Sequence, residues 1–331
     1  MEQSMWVQTL MGPSEFELRE LSAKTEDDLG DGEVLLRNLA GGICGSDLPF
    51  FRGATLPGDQ ETGRPYSNAK PGFPLHEIVG EVVASRDRSF AVGARVVGWA
   101  SNMDALSEFV VVRGASLLEY GKDLTPTTAI QLQTLACVIY ALEQVRDIEG
   151  SSAAVLGLGP TGVLFSHVLR TKGAKSVVGV DRVDRSDVAK AFRIDESIQA
   201  TAEVWSQSLT EEQRPNLIVE AIGHQVTTLA NAVDALAFGG QIYYFGIPDD
   251  AVYPFPMMGF LRKNARLTSG FTPASARHDV LVKAEAHLRQ FPELTEACVT
   301  SIFSYQSAQE AFDVAASPSK GRLKVIFDAA L

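Results

Sequence analysis

The stretch "AAVLGLGPTGVLF", residues 153–165, constrains the fold of this chain more than any other. An apolar run of strand type enters a turn carrying Gly157, Gly159 and Gly162 and leaves it in a helical pattern. Gly157 permits the tight turn, Gly159 lets a pyrophosphate approach the backbone, and Gly162 lets the helix pack closely on the strand. Pro160 and Thr161 complete the turn into the helix, whose amino end offers free N–H groups and a positive dipole end to phosphates. Glycine turns between strand and helix also arise for structural reasons alone. Here a second apolar strand, "SVVGVD", ends at Asp181, 19 residues beyond Gly162, where a carboxylate accepts hydrogen bonds from ribose hydroxyls. A carboxylate there repels a 2′-phosphate, so NAD is favoured over NADP. Arg182 beside it either softens that preference or is a solvated surface arginine.

The alternation continues on both sides of the turn. Strand-like "NLIVEAIG" and "QIYYFGIP" alternate with helical "GVLFSHVLRTKG", "DVAKAF" and "TTLANAVDALAFGG", which implies an α/β unit with a parallel doubly wound sheet over 134–270. Before it, the β-type runs "GEVLLRNLAGG", "EIVGEVVAS", "ARVVGWA" and "SEFVVVRG" read as a twisted β-rich domain. After 271, a helix "HDVLVKAEAHLRQF" and a last strand "RLKVIFDA" are expected to return to that domain, giving it residues 1–133 and 271–331. The irregular stretch 52–74, with Arg64, Tyr66, Asn68 and Lys70, has the length of a functional or disordered loop.

A formal charge of −12 and the lack of any lysine/arginine block exclude nucleic acid and anionic membranes as expected partners and leave small molecules. The apolar runs are far shorter than the roughly 20 residues that span a bilayer, and "MEQSMWVQTLMG" lacks a signal pattern. Three widely spaced cysteines, Cys44, Cys137 and Cys298, make a poor disulfide framework. The expectation is a cytoplasmic protein.

Cys44 lies in "GGICGSDLPFF" beside Ser46 and Asp47, and "LHEIVGEV" carries His76 and Glu77. A thiolate and an imidazole are good zinc ligands, while a free cysteine is equally at home as a small packed residue. Together with "LACVIYALEQV", "GLGPTG", "VVGVDR", "NLIVEAIG" and "YQSAQEAFDVA", in this order, the chain resembles the medium-chain dehydrogenase/reductase family, in particular its zinc-dependent alcohol, polyol and threonine dehydrogenase branch. The resemblance runs nearly end to end. It implies a GroES-like catalytic domain built from both ends of the chain, a central Rossmann domain with a cleft between the two, and a homodimer or homotetramer formed through "QIYYFGI".

The resemblance also implies roles. Cys44 and His76 fall on catalytic zinc ligands. The third ligand position falls on Gln133, a neutral amide, with Glu77 the nearest carboxylate, either a ligand itself or a charge behind the ligands. Ser46 falls where a hydroxyl relays the proton of the alcohol, or else is a turn serine. Asp47 either orients the His76 ring or caps the helix that follows it. Pro49 stands where relatives place a relay histidine, Leu75 replaces a glycine before the histidine, and "VVGWASNMDALSEF" lacks the cysteines of a structural zinc. Lys324 lies near a basic residue that relatives keep for the pyrophosphate, or is a solvated strand lysine. The implied function is NAD(H)-dependent interconversion of a small secondary alcohol and its ketone, with one catalytic zinc. The alternatives are a zinc-free quinone- or enone-type reductase of the same fold and a non-catalytic NAD(H)-binding protein.

Overall fold

The computed structural model of the chain describes residues 4–54 and 70–331; Arg64, Tyr66 and Asn68 lie outside the described residues, and Lys70 is exposed at their border. The chain divides into one unit of Met1–Ala136, Pro273–Pro318 and Leu323–Leu331, and a second of Cys137–Thr272 and Ser319–Arg322.

The first unit opens with an antiparallel hairpin of β1 (Ser4–Gly12) and β2 (Glu15–Ser22). Next come β3 (Glu33–Gly42), β4 (Glu77–Ser85), β5 (Arg95–Trp99), β6 (Phe109–Arg113) and β7 (Leu117–Glu119). Their apolar residues, among them Leu36, Ile78, Val96 and Val110, form the core of this unit. The short helix Leu48–Phe51, directly after Cys44, is pinned to that core by Phe51. This ring is 1% exposed and packs 5.1 Å from Phe312. Burying one such side chain contributes about 1.5–3 kcal/mol, enough to fix a four-residue helix that would not form alone.

The second unit is a six-stranded sheet of β8 (Ser152–Leu156), β9 (Ser176–Asp181), β10 (Glu196–Gln199), β11 (Leu217–Glu220), β12 (Gln241–Tyr244) and β13 (Arg266–Ser269). The strands are all parallel, in the order β10-β9-β8-β11-β12-β13. "AAVL" and "LIVE" are buried throughout, as strands covered on both faces must be. The strand order reverses at β8 and β11, so the turns after them, at Gly157 and Gly223, flank the switch point where such sheets bind ligands. The chain then returns to the first unit through the helix Ala274–Gln290 and strands β14 (Val299–Phe303) and β15 (Lys324–Asp328). β15 pairs antiparallel with β3. Among the described residues no helix is long and apolar enough to cross a membrane.

The α/β class, the parallel doubly wound sheet and the β-rich first unit match the expectation. One local reading is corrected. "DVAKAF" is a series of turns, with Phe192 N bonded to Val188 O and Ile194 N to Ala189 O before Arg193 adopts a left-handed φ of 55°. Burial of Val188 and Phe192 shapes the segment. "QIYY" is an interior strand, paired on one side with β11 and on the other with β13. The outer strand is the polar "RLTS", all four residues exposed, which carries little strand signal of its own.

Residues 319–322 pack with the second unit because the buried Arg185 guanidinium donates to the carbonyls of Ser319 and Arg322 at 3.0 and 2.6 Å. Lys320 also meets Asp184 at 2.6 Å.

Candidate functional site

β3 ends at Gly42, and Ile43 N donates to Val325 O of β15 at 3.1 Å, which sets Cys44 just past the sheet. The turn closes as Asp47 N donates to Cys44 O at 3.1 Å. The fully buried Asp47 carboxylate then reaches in two directions: Oδ2 accepts from Cys44 N at 2.8 Å, and Oδ1 accepts from His76 Nδ1 at 2.7 Å. Although Asp47 is the N-cap of the helix Leu48–Phe51, its side chain makes no cap hydrogen bond. Of its two readings, orienting the imidazole is the one the geometry carries.

His76 is held from its backbone by the segment after β5. Ala100 N donates to His76 O at 2.8 Å, while the buried Leu75 exchanges backbone bonds with Met103 and Ala105. Burial by itself would lower the His76 pKa, but the Asp47 carboxylate and the neighbouring Cys44 raise it well above 6.5. With Nδ1 turned to Asp47, Nε2 is the nitrogen left for a cation.

Glu77 opens β4 opposite Gly42 and is fully buried. Its Oε1 accepts from Lys324 Nζ at 2.6 Å and from Thr134 Oγ1 at 3.2 Å, whereas Oε2 has no hydrogen-bond partner. A methyl group on Gly42 would collide with Oε2 and crowd Lys324 Cε at 3.0 Å, so the glycine makes room for the carboxylate. A donor atom each from Cys44, His76 and Glu77 lie within 4.8 Å of one another. Sulfur, imidazole nitrogen and a carboxylate oxygen are a zinc-type donor set of three, the number a catalytic site uses while keeping a position open. The residues fit a zinc ion. Gln133 is buried next to Thr134 on the helix Gln131–Glu143, and Ser46 is half-buried two residues from Cys44.

Lys324 is neither a solvated lysine nor free to meet a pyrophosphate. It is 1% exposed, and its ammonium is taken up by Glu77 and, at 3.4 Å, by Thr134. Reading the sequence missed Thr134 entirely and missed this role of Lys324. The available signal was a lysine inside the apolar run "RLKVIF", a place where a charge requires a partner.

In the second unit, Gly157 has φ 89°, the left-handed conformation that favours glycine, and a side chain on Gly162 would run into the Gly157 carbonyl. Gly159 differs: a side chain there would stand in open space, so its backbone is approachable from outside. It caps the helix Pro160–Thr171, with Pro160 at the first position and Thr161 next. Asp181 Oδ2 accepts from Leu158 N at 2.7 Å and Oδ1 from Val183 N at 2.8 Å, so the carboxylate braces the glycine turn and keeps further lone pairs for hydroxyl donors. The turn fits a dinucleotide pyrophosphate and ribose. Arg182 beside it is exposed.

The remaining histidines stand apart from the cluster: His167 is fully buried in the helix Pro160–Thr171, His224 pairs with Asp249 at 2.8 Å, and His278 and His287 lie on the helix Ala274–Gln290.

The chain resembles known proteins in sequence and fold. Residues 30–118 match the alcohol dehydrogenase GroES-like domain, and residues 160–284 match the zinc-binding dehydrogenase domain. The chain is 24% identical over 324 residues to D-arabinitol dehydrogenase 1 of Uromyces fabae, covering 86% of this chain and 87% of that protein. It is 27% identical over 272 residues to D-altritol 5-dehydrogenase of Agrobacterium fabrum, covering 71% and 76%. The fold is that of alcohol dehydrogenase TADH from Thermus sp. ATN1, with a TM-score of 0.79 at 22% identity over 99% of this chain and 100% of that one.

Proposed function

The chain belongs to the zinc-dependent branch of the medium-chain dehydrogenase/reductase family, and on that premise we propose that it is an NAD(H)-dependent oxidoreductase. Its substrates would be small secondary alcohols of the polyol, sugar, cyclitol or amino-alcohol type and their ketones. The observation that carries this reading is the convergence of Cys44, His76 and Glu77 donor atoms within 4.8 Å, in a corner that holds an unpartnered carboxylate oxygen. Arabinitol and altritol as the named substrates of two relatives support the polyol class.

Cys44, His76 and Glu77 would hold one catalytic zinc, with Gln133 a neutral neighbour. Zinc there supplies a Lewis acid for an alcohol or carbonyl oxygen, and the nicotinamide cofactor supplies the hydride carrier. The chain's own work is positional. Asp47 keeps the proton on His76 Nδ1 and so presents the Nε2 lone pair. Ser46 accepts the alcohol proton at Oγ and hands it outward, a task Pro49 cannot perform. Gly159 admits the pyrophosphate to the helix amino end, and Asp181 accepts the ribose hydroxyls while repelling a 2′-phosphate, which selects NAD over NADP.

A homo-oligomer is supported by the exposed edge strand β13, which has Leu267 on it, Phe271 (77% exposed) just beyond it, and Met257, Met258 and Leu261 on the preceding helix. Three unbridged cysteines support a cytoplasmic location.

The test is metal content of protein purified without chelator, together with NAD reduction across polyols, cyclitols and amino alcohols. One zinc per chain and loss of turnover on stripping are expected; a metal-free protein that remains fully active overturns the zinc assignment. Reduction of activated alkenes by NADPH, insensitive to Cys44→Ala, would identify the zinc-free reductase instead. Tight NADH binding without turnover would mark a non-catalytic binder.

A further inference from the structure

The least expected group in the metal corner is Lys324. It stands on an interior-facing position of β15 with its side chain 2% exposed, and it faces a Glu77 side chain that is fully buried. Its Nζ lies 2.6 Å from Glu77 Oε1, a charge-assisted pair closed off from solvent on both sides. This pair occupies a place that would also receive a dication, and a positive charge beside a cation site weakens binding of that cation. Such a cost calls for a return, and the hydrogen bonds show what it is. Lys324 and Thr134 both bond Glu77 Oε1, while Oε2 is left bare against Gly42. A carboxylate free of such clamps binds metals through one oxygen or through both.

We propose that Lys324 is a positioning residue of the metal corner: by occupying Glu77 Oε1 it restricts that carboxylate to a single oxygen, Oε2, toward a bound zinc, and it compensates the acid when the corner is empty. This rests on the zinc reading above. The restriction keeps the coordination number low, so that a position remains open for substrate. It also explains how a corner whose third ligand position is the neutral Gln133 acquires an anionic oxygen without becoming a closed, structural-type site.

The test uses the full-length protein with Lys324→Met, of similar length and without charge, and Lys324→Arg, which keeps the charge. Zinc affinity is measured by competition with a chromophoric chelator. Coordination is read from the cobalt(II)-substituted protein, whose near-ultraviolet band reports the Cys44 thiolate and whose visible bands weaken as coordination number rises. For Lys324→Met, removal of the repelling charge and engagement of both Glu77 oxygens should tighten zinc binding about tenfold, lower the visible bands and widen the gap in thermal midpoint between stripped and loaded protein. Lys324→Arg should restore wild-type bands and affinity. Unchanged or weaker zinc affinity in Lys324→Met, or unchanged visible bands, overturns the proposal and leaves Lys324 a structural residue. If wild-type protein shows no thiolate band with cobalt, the zinc reading itself has failed, and this proposal with it. Should Lys324→Met not fold, Thr134→Val removes the second clamp on Oε1; weaker visible bands support the proposal and wild-type bands overturn it.

Discussion

The metal corner and the glycine turn are built by opposite means. The turn is made of backbone: a positive φ at Gly157, an open flank at Gly159 and a close approach at Gly162, with the Asp181 side chain bracing it. The corner is made of side chains brought together from four separated segments: Cys44 and Asp47, His76 and Glu77, Thr134, and Lys324. Backbone shape near a ligand needs only local sequence, whereas buried charge needs partners that are distant in the chain.

If that contrast holds, the two sites fail in different ways. The largest effect belongs to the corner. Glu77→Gln leaves the Lys324 ammonium buried without its counter-charge, and breaking such a pair costs about 3–5 kcal/mol, to be read from urea denaturation of chelator-stripped protein. Loss below 1 kcal/mol would mean that the pair is not a structural keystone. Next, Gly162→Ala forces a methyl into the Gly157 carbonyl, an overpacking that costs about 1–3 kcal/mol. It should abolish NADH binding by fluorescence titration while zinc content is unchanged; loss of both would show the sites to be coupled.

Asp47→Asn removes the charge beside His76 and leaves an amide that cannot accept from both His76 Nδ1 and Cys44 N, and it should weaken zinc binding about 10- to 100-fold with little change in NADH affinity.

The corner should also respond to pH. In the empty corner, despite opposing burial, Asp47 raises the His76 pKa well above 6.5. The resulting stabilisation is complete below about pH 6.5 and is lost as pH rises through the folded value. Metal uptake needs the ring neutral, so zinc binding should release about one proton or more per ion near neutral pH and weaken as pH falls, as followed with an indicator dye. Smallest is Asp181→Ser, which should shift the NAD-to-NADP preference about tenfold toward NADP without altering zinc content.

The same contrast governs how much could be read in advance. The parallel sheet, its glycine turn and Asp181 follow from periodicity and spacing within some 30 residues, the span over which a βαβ unit is defined. Asp47 was legible only as a pair of alternatives, capping or orienting, because its local sequence suits both; the choice depends on His76, 29 residues away. The outer strand of the second sheet went unread because "RLTS" carries little strand character of its own, whereas "QIYY" carries much. Strand propensity reports burial rather than position in the sheet. "DVAKAF" folds as turns placed by the burial of Val188 and Phe192, although its pattern was apolar in the places a helix requires.

By itself, the sequence determined an α/β chain with a glycine-rich turn between strand and helix and residue types able to ligate zinc, because glycines, apolar periodicity and ligand chemistry act locally. Only the tertiary structure decided that Glu77 is buried, that its Oε1 belongs to Lys324 and Thr134, and that its Oε2 has no hydrogen-bond partner. The pairing of β15 with β3 brings Lys324, 247 residues away in sequence, against Glu77, and a buried charge is defined by what stands opposite it.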